Sequence, residues 1–268
     1  MKVETLVLPF RGEFGLKIRY HVPVVHALGS VIVCAEPGEE SLYPRAKEII
    51  DVARNNDDRR RHSYAVDRDF INSLRPELEE RYPNTQFTET CREMPEERFI
   101  PDPQVRLGLK ADVIVCPRWR RYGASKNWQH WVKLTHQLKA AGLKVMAAGN
   151  RDASSDVPAL KLWEFQRPLD ASIEAMRNAR LVVATDAGLA HLAVLCGAPL
   201  LLISHGAGVV APGPVLDEHG TVERSAYWTI CFEEYYHSAN HTGSPIDVVQ
   251  DGWMEPDKVL SAVLARLI

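Results

Sequence analysis

One stretch constrains the fold more than any other: residues 181–203, LVVATDAGLAHLAVLCGAPLLLI. A non-alternating apolar run leads through Asp186, Ala187 and Gly188 into an apolar helical segment, 189–196. A second glycine, Gly197, is followed by another apolar run, 199–204. Strands that are apolar without alternation are covered on both faces, and a helix between two of them marks a βαβ unit of a parallel sheet. The same grammar predicts strands at 111–117, 143–149 and 180–186, a short strand at 159–163, and helices at 128–141 and 172–178. In helix 128–141, Trp131, Leu134 and Leu138 share one face. Helix 256–267 opens on Pro256 and carries Val259, Leu260, Val263, Leu264 and Leu267 on one side.

The first half is less regular. Strands are expected at 4–9 and 30–34, an apolar-rich segment at 16–28, and helices at 43–54 and 67–80. Residues 83–110, rich in Pro, Glu and Arg without a clean period, read as a linker. The two halves share only strand–helix alternation, which suggests two α/β domains. Ligands of such sheets sit beyond the carboxyl ends of the strands. The loops after Pro9, Pro117, Gly149, Asp186 and Ser204 are therefore where chemistry is expected.

The 268 residues are 46% hydrophobic and 25% charged, enough apolar material for a sizeable core, which excludes a disordered or low-complexity scaffold. A net charge of -3 gives no global basic field for nucleic acid or an anionic membrane, although a local patch is compatible with that sum. Five cysteines without a C-x-x-C favour a reduced compartment, with Cys34 and Cys116 as small buried hydrophobes. Neither a signal peptide nor a membrane-length apolar run is visible, so a cytoplasmic protein, at most peripheral to a membrane, is expected.

Within 181–203 a strand delivers Asp186 to its end, and Gly188 starts a helix that carries His191. Free N–H groups and the positive dipole end there suit a phosphate. The same residues also fit a plainer role, Asp186 as a helix cap and His191 as a surface imidazole. Upstream, CPRWRRYGASKNWQHW sets Arg118, Arg120, Arg121 and Lys126 on one loop after a strand. That cluster suits a diphosphate or another polyanion; its plainer counterpart is a solvated basic loop. His237 and His241 lie four apart in a Tyr/Ser/Asn-rich stretch without a third ligand, so no metal is expected. P-loop, dinucleotide and G-x-S-x-G signatures are absent.

These segments resemble glycosyltransferase family 9, the family of the lipopolysaccharide heptosyltransferases. The family pattern D-[ST]-G-x-x-H-x-A-x-x-x-G-x-P is matched by Asp186, Gly188, His191, Ala193, Gly197 and Pro199, with Ala187 replacing the hydroxyl residue. Lys126 and Trp128 resemble the family's lysine–tryptophan pair, whose lysine contacts the donor diphosphate. Phe10-Arg11-Gly12-Glu13 resembles the turn that holds the catalytic aspartate, with Pro23 and Leu28 in the helix behind it. The resemblance covers most of 111–203 and, loosely, 5–28.

The resemblance implies a GT-B-like α/β fold of two Rossmann-like domains facing across a cleft. The domains would be an acceptor-side domain at 1–108, a donor domain at 109–254 and a terminal helix at 255–268 that could pack back on the first. It implies an inverting, metal-independent glycosyltransferase without a cofactor, moving a sugar from a nucleotide-sugar donor to a hydroxyl acceptor. Glu13 would be the base, one methylene longer than aspartate; as a plainer role it sits in the dipole of a helix start. Lys126, Arg118, Arg120, Asp186, Ala187, Gly188 and His191 would hold the diphosphate. Asp152 and Arg167 would meet the nucleoside, although on residue type alone Asp152 better fits a solvent-facing turn. The acceptor is expected to be a glycan rather than DNA. Arg54 and Arg59 to Arg61 keep a viral DNA base as an alternative, and an epimerase or silent nucleotide-sugar-binding module on the same fold is another. Since family members generally run longer, the deficit is expected in the N-terminal, acceptor-side half.

Overall fold

The computed structural model describes residues 4–10, 14–53, 68–89, 100–120, 127–185, 187–203, 215–216, 222–223, 246–249 and 254–267. The chain divides into two units, Met1–Gln104 and Val105–Ile268.

The first unit is built on four parallel strands: β1 (Glu4–Val7), β2 (Ile32–Ala35), β3 (Glu48–Asp51) and β4 (Thr85–Thr88), in the order β3-β2-β1-β4. Leu6, Val7, Ile32 and Val33 are buried because β1 and β2 are central and covered on both faces. After β1 the chain runs on as one helix, α1, through Phe14–Leu16, Lys17–His21 and Val22–Leu28. The turn Lys17–His21 is a wide π turn. Pro23, just beyond it, has no N–H to give to that turn, and a local widening accommodates the loss. Helix α2 (Arg68–Arg81) packs Ile71, Leu74 and Leu78 onto Leu6, Leu8 and Ile32.

Two expectations for this half are corrected. The helix expected at 43–54 is not formed over its described residues, 43–53: a 3-10 turn, Glu40–Leu42, leads into β3. EIID lies at the sheet edge, half-buried, so its charged ends mimic a helix in the sequence. The stretch 83–110 is more than a linker, for TQFT forms β4 and pairs parallel with β1 (Leu6 with Phe87).

The second unit carries six parallel strands: β5 (Val113–Cys116), β6 (Val145–Ala147), β7 (Leu160–Lys161), β8 (Leu181–Thr185), β9 (Leu200–Ile203) and β12 (Ile246–Val249). A separate antiparallel pair, β10 (Val215–Leu216) and β11 (Val222–Glu223), lies between β9 and β12 in the chain. The order is β12-β9-β8-β5-β6-β7, with β12 an edge strand the apolar pattern did not announce. One face is covered by α3 (Trp131–Ala140) and the C-terminal helix, α6 (Pro256–Leu267). There Trp128, Trp131, Leu134, Leu138, Val259 and Val263 meet Val113, Val115, Val183 and Ile203. Helices α4 (Pro168–Arg177) and α5 (Gly188–Leu195) also belong to the unit, with α5 against β8 and β9.

The entry into this unit is tied by a buried carboxylate. Glu174 of α4, 4% exposed, accepts the backbone N–H of Leu107 (2.6 Å) and of Gly108 (2.8 Å). Gly108 has φ +69, which a side chain would resist. Cys34, Cys116 and Cys196 are buried thiols outside any disulfide; burial pushes Cys34 up to about 12 and Cys116 and Cys196 higher still, so they remain inert hydrophobes.

Candidate functional site

Strand order locates the site. From β5 the chain steps outward to β6 and β7, then returns to the opposite side of β5 with β8 and continues to β9 and β12. The order therefore reverses between β5 and β8, which lie side by side with Cys116 paired to Ala184. Crevices beyond the carboxyl ends of strands at such a reversal are where open α/β sheets bind ligands. The first unit reverses in the same way between β1 and β4. The turn expected to hold Glu13 leaves the carboxyl end of β1 at that reversal; Glu13 itself lies outside the described residues.

At β8 the chain turns directly into α5. Its N-cap is Ala187, extended (φ -156, ψ 170) and with no side-chain cap. Ala187 carbonyl accepts from Ala190 N–H at 2.9 Å. Gly188 is the first helical residue, and His191, half-buried, lies in the first turn. The far end closes on Gly197 (φ +76): Gly197 N–H bonds Val194 carbonyl and Ala198 N–H bonds Ala193 carbonyl, so the chain reverses tightly into β9. An uncapped N-terminus offers N–H groups and partial positive charge where an anion would sit.

At β5 the basic loop is held at both ends. Asn127 Nδ2 donates to Arg120 carbonyl (2.7 Å), while its Oδ1 accepts from Arg120 N–H (3.0 Å) and from Arg118 Nη1 (2.5 Å). One side-chain amide thus closes residues 120–127 and orients the Arg118 guanidinium. The next residue, Trp128, is wholly buried, donates Nε1–H to Met254 carbonyl (2.9 Å) and meets Trp131 edge-on. The Trp of the lysine–tryptophan pair is therefore a core anchor for the loop. Lys126, Arg121 and Asp186 lie outside the described residues, as do residues 204–214, Arg54, Arg59 to Arg61, His237 and His241.

The loop after β6 is stitched to the loop after β5. Trp119 N–H donates to Ala153 carbonyl (2.9 Å), Ser155 N–H to Pro117 carbonyl (2.7 Å), and Arg118 bridges Ser154. Asn150 Oδ1 accepts from Asp152 N–H (3.0 Å), leaving the Asp152 carboxylate exposed. Gly149 permits this packing, since a Cβ there would fall 2.1 Å from Ser154 Oγ and 3.0 Å from Trp163. At the end of β7, Arg167 Nε lies 2.6 Å from the buried carboxylate of Asp170, at the start of α4.

The carboxyl ends of four adjacent strands, β8, β5, β6 and β7, thus present in order the α5 N-terminus with His191, Arg118 with Arg120, Asp152, and Arg167. At ~4.8 Å per strand the row spans about 14 Å, the length scale of a nucleoside diphosphate laid across the sheet. Sequence reasoning did not single out Asn127, or Trp119, an indole 50% exposed between the two arginines. Among the described residues no three His, Cys, Asp or Glu side chains group as a metal site, and no helix is long and apolar enough to cross a membrane.

By sequence, no family model and no curated protein matches the chain. By architecture it is similar to E. coli ADP-heptose lps heptosyltransferase II, at 14% identity and TM-score 0.55 over 98% of each chain. It is also similar to the glycosyl transferase family 9 protein of Veillonella parvula DSM 2008, at 12% identity and TM-score 0.54 over 100% of this chain and 98% of that one. A third likeness is to E. coli heptosyltransferase WaaC with ADP, at 11% identity and TM-score 0.51 over 98% of this chain and 100% of that one. At such identities the likeness is one of fold, and the chain has the GT-B-like fold of these proteins: two α/β units, each on an open parallel sheet.

Proposed function

We propose that this protein is an inverting glycosyltransferase that moves a sugar from a nucleoside-diphosphate donor to a hydroxyl of a glycan acceptor. The observation that carries the reading is the row of anion-suited and polar groups along β8, β5, β6 and β7. The solved proteins of like fold add to it, one described as an ADP-heptose heptosyltransferase and another solved with ADP, which makes an ADP-sugar the first donor to try.

In this reading the diphosphate lies between the α5 N-terminus and the loop of Arg118, Arg120 and Lys126, with Asp186 and His191 beside it. Asp152 meets the ribose. Arg167, through the backbone around it, lines the base. The acceptor oxygen attacks the anomeric carbon as the bond from that carbon to the β-phosphate oxygen breaks. The electron pair leaves with the diphosphate, and Glu13 takes the acceptor proton. Cations and N–H dipoles placed where negative charge develops lower the barrier without reorganising. They supply the positive charge that a divalent ion would otherwise bring, so turnover is expected to persist in EDTA.

Acceptor-dependent release of nucleoside diphosphate tests the assignment. Glu13→Gln is expected to slow release by ~10²–10⁴, the usual worth of a general base, with donor affinity unchanged. Wild-type turnover by that variant removes Glu13 from the mechanism. Release of free sugar without any acceptor contradicts transfer altogether.

A further inference from the structure

Trp119 is an indole 50% exposed just past the carboxyl end of β5, and the backbone that carries it is fixed. Residues 117–119 run antiparallel to 153–155, with Trp119 N–H on Ala153 carbonyl and Ser155 N–H on Pro117 carbonyl. In such a pairing, residues directly opposite share a face and successive residues alternate. Arg118 and Ser154 therefore take one face, and Ser154 identifies it. Its Oγ accepts Asn150 N–H at 3.1 Å and fills the space that a Cβ on Gly149, just past the end of β6, would need. That face looks onto the strand ends. Trp119 takes the other, which looks away from them into the crevice, and Ala153, opposite it, brings only a methyl group to that face.

Its place along the row is as definite as its direction. Arg118 and Arg120 flank it in the chain, and Ala153, to which it is bonded, follows Asp152, the residue read as meeting the ribose. Trp119 thus stands between β5 and β6, on the nucleoside side of the diphosphate and away from the N-terminus of α5. The next strand, β7 with Arg167 after it, lies ~4.8 Å further on, within the span of an indole side chain. A base joined to a ribose at Asp152 comes to lie over the ring. A flat aromatic surface on a rigid support suits a base, since every base has a π face and stacking asks for no particular hydrogen-bond pattern.

We propose that Trp119 is the platform on which the donor's nucleobase stacks. The proposal rests on the donor-site reading above and adds the face of the base to the contacts assigned there; its test separates the two.

Affinity for ADP, or for whichever nucleoside diphosphate binds the wild type, is measured by titration calorimetry, alongside the melting temperature without nucleotide. Trp119→Leu keeps an apolar side chain and the backbone bonds but has no ring. It is expected to melt within about 2 °C of the wild type, as substitution of an exposed residue does. It is expected to bind the diphosphate about tenfold or more weakly, the usual worth of one stacked base. Trp119→Phe keeps a ring and is expected to stay within about threefold of wild type, a rescue that a packing role, which leucine fills as well, would not give. Should the leucine variant fail to fold, Trp119→Ala carries the same affinity prediction. Wild-type affinity in the ring-free variant, or Trp119→Phe binding as weakly as Trp119→Leu, overturns the proposal, and if Lys126→Ala meanwhile loses binding, the donor site itself stands. A wild-type protein that binds no nucleoside diphosphate overturns both.

Discussion

Ala187→Ser places a hydroxyl at the uncapped N-terminus of α5 and tests the local geometry in two independent ways. Ala187 is extended at the N-cap with no side-chain cap, and since Ala190 N–H already bonds the Ala187 carbonyl, the N–H of Leu189 is the one within the usual reach of an N-cap oxygen. Serine in place of alanine there stabilises by about 1 kcal/mol. The unit runs over residues 105–268; at about 2.1 cal/mol/K of unfolding entropy per residue, that becomes a rise in melting temperature of roughly 3 °C. While its oxygen accepts from the helix, the serine O–H can donate to a phosphate, a charged hydrogen bond of about 1.5–3 kcal/mol, so diphosphate affinity should rise about tenfold or more. Differential scanning calorimetry reads the first effect and titration with ADP the second. An unchanged or lower melting temperature refutes the N-cap assignment. A 3 °C gain with unchanged ADP affinity refutes the phosphate position.

Asn127→Ala removes all three bonds that close the basic loop. Donor KM should rise about tenfold, kcat and acceptor KM should change by less than about threefold, and stability should fall by about 1–3 kcal/mol, the cost of unmade bonds to charged and backbone groups. An unaltered donor KM would show that the loop does not depend on its latch. In the first unit, burial, with Lys17 nearby, lowers the His21 pKa from 6.5 to about 3. A depressed histidine stabilises the fold above its unfolded pKa and loses that contribution as pH falls toward the folded one, about 2 kcal/mol between pH 7 and pH 5. His21→Phe keeps a ring between Phe10 and Tyr43 and should lessen the loss of urea stability from pH 7 to pH 5 by that amount; the same loss in both proteins would show that His21 already carries its proton.

Much of the second unit was legible because its strands are buried on both faces, so VIVC, LVVAT and LLLI stand out as unbroken apolar runs. The misread elements are edge strands. EIID and TQFT are only half-covered, so composition there reflects solvent as much as the sheet. IDVV at β12 carries too short a run to outweigh its polar surroundings. The cations and the glycine of the candidate site were visible as residue types in loops after strands. The reversal between β5 and β8 was not, because strand order is a property of pairing and no local pattern encodes it. Asn127 was hidden for a related reason. An amide that closes a loop is a fact about neighbours in space, and a lone Asn in a sequence does not signal it.

Donor binding is the step on which every assigned role in the second unit depends. A thermal-shift screen of the wild-type protein against ADP, UDP, GDP and TDP sugars and CMP-linked sugars measures it, since a ligand at 100 times its Kd stabilises the folded state by about 2.7 kcal/mol. At least one nucleoside-diphosphate sugar is expected to raise the melting temperature by several degrees, and Lys126→Ala to abolish the shift. No shift with any of them at millimolar concentration would contradict the donor-site assignment.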